Sequence, residues 1–399
     1  MKIERKKFMS PEFIYNQETA VVTTRQGKIR GYVYKGISIF KGIPYATARR
    51  FHAPEPVEPW EGVMDATNYG YVCPLLELGK PNGELGVPHR YWVMNEDCQN
   101  LNVWTPAHAG EKRPVLVWLH GGGYEAGSAI EHVAYEGENM CREGQVVVVS
   151  INHRLNILGY FDLSAYGREY ANSGNAGGDD IIAALKWIQE NIAAFGGDPD
   201  NVTVFGQSGG GAKVTTLLQT PAADGLYARG INMSGVTGPL LADSKGDGKE
   251  LAMAIMAELG IDDDIRELEK VPYAALAEAY KKVKPEFAAK GKYVGCTPCR
   301  NAFYMGTPDE NGFREETAHI PMLIGTTYGE FAAVSAPSFN KEALTREEGI
   351  AQIEKELGKE AAAELLPLYE TAYPERNPID LLTLDFLFRL PGMQYICQR

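Results

Sequence analysis

Residues 201–211 read Asn-Val-Thr-Val-Phe-Gly-Gln-Ser-Gly-Gly-Gly. The β-branched run Val202-Thr203-Val204-Phe205 has the composition of a buried strand and stops at Gly206. Ala212 to Thr220 favours a helix. A strand that turns directly into a helix crowds the turn, so small residues must flank its apex. Gly206-Gln207-Ser208-Gly209-Gly210 meets that demand as G-x-S-x-G. The apex, Ser208, is expected in strained geometry with its hydroxyl exposed. The amides of Ser208 and Gly209 would lie at a helix N-terminus, where developing negative charge is favoured. A glycine-rich turn without a catalytic role gives the same pentapeptide, and it is the strand-turn-helix context that favours the functional reading. A phosphate loop is the poorer reading, because no Gly-Lys-Ser/Thr ending follows.

The remaining composition narrows the function classes. At 399 residues the chain can bury a large core. A net charge of −13 with no basic block argues against nucleic acid and anionic membrane surfaces as partners. Met1-Lys2-Ile3-Glu4-Arg5-Lys6-Lys7 is followed by no apolar h-region, and no apolar stretch of about 18 residues occurs, so the sequence reads as a soluble, cytoplasmic protein. Six cysteines make no disulfide scaffold, and Cys296-Thr-Pro-Cys299 is a lone C-x2-C that reads as two loop thiols rather than a zinc site. No metal and no cofactor are expected.

Taken in order, residues 1–18 read as a loose arm. From Ala20 to Ala46 short strands alternate with glycine turns, as in a small antiparallel meander. Residues 47–94 are rich in Pro, Gly and aromatics and lack periodicity, as expected of a long covering loop that shapes a pocket. Leu101–Trp104, Val115–Leu119, Val146–Ile151 and Ile231–Met233 read as strands, and Ile320–Ile324 as a short one. Ile181, Leu185, Ile188 and Ile192 form one helical stripe, closed by Phe195-Gly196-Gly197-Asp198-Pro199. Leu251, Ile255 and Leu259 form another, and residues 273–284 favour a helix. Thr345 and Glu348 fit a capping box opening a helix to about Leu357. The alternation predicts an α/β fold with a mainly parallel, doubly wound sheet, built as one domain over 1–399 with an inserted helical region.

Several stretches, in order, resemble the type-B carboxylesterase family of the α/β-hydrolase fold. They are Phe40-Lys-Gly-Ile-Pro-Tyr-Ala46, Glu96-Asp97-Cys98-Gln-Asn-Leu101-Asn102-Val103-Trp104, His120-Gly-Gly-Gly123, Asn152-His-Arg154-Leu155, Gly174-Asn175, Phe195-Gly-Gly-Asp-Pro199 and Phe205-Gly-Gln-Ser-Gly-Gly210, with Phe388-Arg389-Leu390-Pro391 as a late segment. The resemblance implies Ser208 as nucleophile, the amides of Gly122, Gly123 and Gly209 as the oxyanion hole, and Glu330, five residues past Gly325, as the triad acid. A serine hydroxyl needs a base to take its proton, the oxyanion needs fixed donors, and a carboxylate must orient the base.

The sequence also departs from the family. In this fold the order is Ser, then acid, then His, yet none of the seven histidines follows Glu330. The resemblance implies that the family's base would lie beyond Arg399, so that the chain would lack its C-terminal part and alone be a poor catalyst. His52, His89, His108, His120, His132, His153 and His319 are assigned no base role. His120 belongs to the H-G-G-G loop, and His153 stands where the family usually has Tyr. Gln207 and Gly209 stand where many members have Glu and Ala; Gly209 can still donate its amide, whereas Gln207 removes a negative charge, which weakens the case for a cationic, choline-like substrate, and Phe331 replaces a usual Gly. Cys73 and Cys98 match a family pair that is often bridged; in a reducing cytoplasm they would stay thiols. The expected function is hydrolysis of a small-molecule carboxylic ester through an acyl-serine. A silent binding protein on the same fold, or a thioesterase or peptidase, are the alternatives.

Overall fold

The computed structural model describes residues 13–76, 90–106, 110–236, 248–330, 343–385 and 388–399. The chain divides into two compact units, Met1–Leu323 with Arg399, and Ile324–Gln398. His89, His108 and Phe331 lie outside the described residues, as do the first twelve residues of the N-terminal arm.

The first unit is built on a mixed sheet. Its strands are β1 (Phe13–Ile14), β2 (Tyr32–Tyr34), β3 (Ile37–Pro44), β4 (Asn100–Thr105), β5 (Arg113–Leu119), β6 (Val147–Ile151), β7 (Gly197–Gln207), β8 (Arg229–Met233) and β9 (Met322–Gly325), in the spatial order β1-β2-β3-β4-β6-β5-β7-β8-β9. The first unit ends inside β9. At the centre, β5 pairs in parallel with β6 and with β7, and β7 with β8. Val115, Val117, Val147, Val149, Ile151, Val202 and Val204 are wholly buried. β-Branched residues fit a pleated surface that is covered on both faces, which is why these runs contain so few polar side chains. Helix α1 (Ala176–Asn191) lays Ile181, Leu185 and Ile188 into the same core, and Ile192 follows in the next turn. Gly196 then adopts φ 78°, a left-handed conformation that reverses the chain into β7.

The antiparallel pairing expected of Ala20–Ala46 is present, but its strands are divided between two sheets. β2, β3 and β4 extend the central sheet in antiparallel fashion, as far as the β4–β6 pair. Val21–Thr23 and Lys28–Arg30 instead form a second small sheet, completed in parallel by Val63–Asp65. The loop expected over 47–94 therefore carries strands, including Glu55–Pro56 paired with Ala46–Thr47. Short strands of two or three residues have too few alternations to be read from sequence. The loop does shape a pocket: a cavity of about 680 Å³ is lined by Leu75, Leu76 and Met94 and by Tyr273 and Ala277 of a helix spanning Tyr273–Ala289.

One buried ion pair ties the end of β6 to α1. Arg154 and Asp180 are 2% and 0% exposed, and Nη2 reaches Oδ1 at 2.7 Å. Oδ2 also accepts from the Arg154 backbone N–H and from Nε, each at 2.9 Å. The guanidinium donates further to the carbonyl of His52 at 2.8 Å and that of Arg49 at 3.2 Å. One residue thus fixes the loop after β6, helix α1 and residues 49–52 to one another.

In the second unit, the helix Arg346–Leu357 opens with the expected capping box, Glu348 N–H on Thr345 Oγ1 and Thr345 N–H on Glu348 Oε2. It packs through Ile353 on Ala362 of the following helix, Lys359–Ala372, and on Ile379. The late segment Phe388–Pro391 opens the last helix, Arg389–Gln398, where Asp385 Oδ2 accepts the N–H groups of Phe388 and Arg389 at 2.8 Å each.

Breaking a buried pair leaves an uncompensated charge in a medium that cannot solvate it. Asp180→Ala is therefore expected to cost about 3–5 kcal/mol, read as a shift in urea midpoint. A loss below about 1 kcal/mol, the range of exposed pairs, would show that water reaches Arg154.

Candidate active site

Ser208 stands between β7 and helix α2 (Gly209–Leu218) with φ 56° and ψ −125°. L-residues rarely occupy this region, so the surroundings must hold Ser208 there. They do so by direct backbone packing. A Cβ on Gly206 would lie 2.4 Å from the Gly210 carbonyl carbon and 2.7 Å from the Leu119 oxygen, and one on Gly210 would lie 2.0 Å from that same oxygen. Only glycine permits this approach of β7, α2 and the end of β5. Ser208 itself remains partly exposed.

The elbow's two amides have different fates. The Ser208 N–H donates to the Met233 carbonyl of β8 at 2.9 Å. This corrects the expectation that both amides face a developing charge, because sheet pairing uses the first. Gly209 is the first residue of α2, so its N–H precedes the intrahelical hydrogen bonds. Asn232 holds the loop beyond β8 against α2: it donates to Thr215 Oγ1 at 2.8 Å and to the Gly235 carbonyl at 2.6 Å, and accepts from the Gly235 N–H at 2.7 Å.

Facing the elbow, His120-Gly-Gly-Gly123 leaves the end of β5 with φ 90° at Gly122 and 63° at Gly123. The Gly121 carbonyl accepts from His120 Nδ1 at 2.8 Å. The Gly122 carbonyl accepts from the N–H groups of Glu125 at 3.3 Å and Ala126 at 3.1 Å. In a trans peptide the C=O and N–H point in opposite directions. With both carbonyls engaged, the N–H groups of Gly122 and Gly123 are turned away from those partners. The loop also lies against the elbow. A Cβ on Gly209 would meet Gly123 N and O at 2.4 Å, and one on Gly121 would lie 3.6 Å from Ser208 Cβ. The structure thus brings together Ser208, Gly209, Gly122 and Gly123.

Glu330 belongs to the second unit, where its Oε1 accepts the Thr327 N–H at 2.7 Å in the turn after β9. Of the histidines, His52 pairs through Nε2 with Glu269 Oε1 at 2.9 Å. His120 and His153 are buried and stacked, with ring centroids 5.0 Å apart. Their Nδ1 atoms meet carbonyls, Gly121 O at 2.8 Å and Arg154 O at 2.9 Å, so Nδ1 carries the proton in each. Burial, reinforced by Lys213, pushes both pKa values well below the ordinary imidazole value, so both rings are neutral. His132 is buried and His319 is exposed.

Sequence reading missed Lys213, which it treated only as part of a helix-favouring stretch. Lys213 is 1% exposed, and its Nζ donates to the His120 carbonyl at 2.9 Å. Its signal was available: a lysine five residues past the elbow, in a helix otherwise made of Gly, Ala, Val, Thr and Leu.

The thiols carry no chemistry of this kind. Cys73 and Cys98 are buried free thiols packed with Leu155 and Leu158. Cys296 lies 2.9 Å from the Tyr280 hydroxyl, and Cys299 donates to the Tyr293 hydroxyl at 3.3 Å. Among the described residues no group of three or more His, Cys, Asp or Glu side chains is placed to hold a metal ion. Nor is any described helix long and apolar enough to cross a membrane.

Comparison with known proteins bears on the whole chain. Residues 18–376 match the Carboxylesterase family. The para-nitrobenzyl esterase of Bacillus subtilis (strain 168) is 36% identical over 382 residues, covering 94% of this chain and 75% of that protein. Human carboxylesterase 3 is 43% identical over 239 residues, covering 56% of this chain and 40% of its own length. Among solved structures, an esterase from anaerobic Clostridium hathewayi that can hydrolyze aliphatic aromatic polyesters superposes with a TM-score of 0.92. It is 51% identical, covering 98% of this chain and 77% of that one. A PNB esterase superposes with a TM-score of 0.71 at 34% identity, covering 94% and 76% of the two chains. The nine-stranded mixed sheet flanked by helices is accordingly the α/β-hydrolase fold, and the chain belongs to the carboxylesterase family of serine carboxylic-ester hydrolases.

Proposed function

We propose that Ser208 attacks the carbonyl carbon of a small carboxylic ester and forms an acyl-serine, with the N–H groups of Gly122, Gly123 and Gly209 receiving the oxyanion. The observation that carries this reading is the apposition of the strained Ser208 to the glycine loop, with Gly209 against the Gly123 amide. Attack forms the Oγ–C bond, releases the hydroxyl proton to the base and moves the carbonyl π electrons onto oxygen. Collapse of the tetrahedral species breaks the ester C–O bond and the alcohol leaves with that proton; water then repeats the sequence on the acyl-serine, releasing the acid and restoring the Ser208 hydroxyl. Fixed backbone donors suit this task because they need no reorganisation as charge develops, and each is worth roughly 100- to 1,000-fold in rate.

Glu330 takes the role of the acid that orients the base, a reading supported by its spacing from Gly325. The base itself is not assigned to any of the seven histidines. His120 and His153 are wholly buried, away from any incoming ester, and His52 is committed to Glu269. An acidic chain with a net charge of −13 fits a small ester rather than nucleic acid as partner. Six cysteines in 399 residues fit a cytoplasmic location. Gln207, uncharged beside Ser208, favours neutral esters, and the polyester activity stated for the Clostridium hathewayi esterase makes short aromatic-aliphatic esters the first substrates to try.

Treatment of the protein with an organophosphonate is expected to label Ser208, located by peptide mass, and Ser208→Ala should abolish labelling. An adduct on another serine would overturn the assignment. Gly122→Val tests the donors separately. Gly122 stands at φ 90°, where a β-branched residue is strained, so the loop must shift, and a displacement of about 1 Å can cost on the order of 100-fold. The turnover number on a p-nitrophenyl ester should therefore fall roughly 100-fold with the fold retained by circular dichroism. An unchanged turnover number would remove the glycine loop from the reaction.

A further inference from the structure

Lys213 is a charged side chain buried where nothing in the reaction written above requires one. It projects from α2, the helix that begins at the elbow, and its Nζ donates to the His120 carbonyl at 2.9 Å. His120 is the residue immediately before the three loop glycines. The titratable and aromatic groups facing Lys213 are His120, His153, Glu131 and the ring of Tyr124, whose centroid lies 5.9 Å from Nζ. The Nε2 atoms of His120 and His153 are buried without a hydrogen-bond partner. Both carry a lone pair, since Nδ1 holds the proton in each ring. The cation therefore sits beside two neutral, electron-rich imidazoles rather than in a carboxylate cage.

We propose that Lys213 is a positioning residue for the oxyanion donors, clamping the loop of Gly122 and Gly123 to the nucleophile helix through the His120 carbonyl. This rests on the reading of those glycines as donors. The elbow presses the loop from one side through the Gly209–Gly123 contact, and the Lys213–His120 hydrogen bond draws the loop's root toward the same helix. Nucleophile and donors then move as one body, which is what preorganisation of the tetrahedral intermediate demands. A buried ammonium works against stability. Burial pushes the Lys213 pKa down from 10.5 to about 7. With the folded value below the unfolded one, the unfolded chain binds the extra proton between pH 7 and 10.5, and stability rises with pH across that window.

The test is Lys213→Met in the full-length protein, which keeps most of the volume and removes the donor. The expected result is a turnover number lowered at least about 10-fold, less than the roughly 100-fold of a lost donor because the donors are displaced and not removed, with KM within about twofold and the rate of phosphonate labelling at Ser208 lowered in parallel. The melting temperature should be unchanged or raised, more at pH 6 than at pH 9, as the buried charge is gone. Lys213→Ala, assayed with and without butylammonium, is the second variant, with restoration of turnover by the amine expected. An unchanged turnover number in both variants overturns the proposal. So does a loss of turnover that tracks a fall in melting temperature, because that marks a purely structural residue. Absence of labelling at Ser208 in the unmodified protein would instead overturn the assignment of the nucleophile.

Discussion

The contact on which this structure depends is backbone against backbone. β5 and β7 are parallel neighbours in register from Val115–Val202 to Leu119–Gly206, so they end side by side. The chain leaving β5 becomes the glycine loop, and the chain leaving β7 becomes the elbow. Both must turn within the same few ångströms, and a single Cβ at Gly206 or Gly210 would close the space. The strained φ of Ser208 follows from this crowding rather than from any local preference of serine. Its N–H, fixed on Met233 of β8, shows that the apex is anchored on both sides by neighbouring strands.

Around this contact the protein buries polar groups that a smaller core could not tolerate. All ten residues of α2 are buried, among them Lys213, Thr215 and Thr216. Burial of such groups is costly unless their hydrogen bonds are made. Thr216 Oγ1 meets the Tyr124 hydroxyl at 2.7 Å, Thr215 meets Asn232, and Lys213 meets His120. Arg154 and Asp180 do the same for the loop after β6, where four donors of one arginine side chain and backbone converge on Asp180 or nearby carbonyls. These networks make rearrangement of the site expensive, which suits donors that must be in place before charge develops.

Much of this was legible in the sequence, for identifiable reasons. The central strands declared themselves because burial on both faces favours runs rich in β-branched residues, as in Val147–Ile151 and Val202–Phe205. The elbow was legible because crowding at a strand-helix turn demands glycine two residues to either side of the serine, at Gly206 and Gly210. Thr345 and Glu348 were legible because a capping box is a local bargain three residues long. Three features were not. The addition of β2 and β3 to the central sheet depends on pairing with β4, about 60 residues on, and such registers leave no local trace. The Arg154–Asp180 pair spans 26 residues and two elements. The loss of the Ser208 amide to Met233 could not be seen from the elbow's own residues, since the acceptor is supplied by the next strand.

The central claim is that the strained serine and the glycine loop form one preorganised receptor for a tetrahedral oxyanion. The most direct measurement is a high-resolution crystal structure of the phosphonate adduct, whose phosphoryl oxygen stands where the oxyanion would be. The account predicts that oxygen about 2.7–3.1 Å from the amide nitrogens of Gly122, Gly123 and Gly209, with Ser208 still near φ 56° and its N–H still on Met233. A phosphoryl oxygen pointing to solvent or to a side chain, with those three amides unengaged, would contradict it.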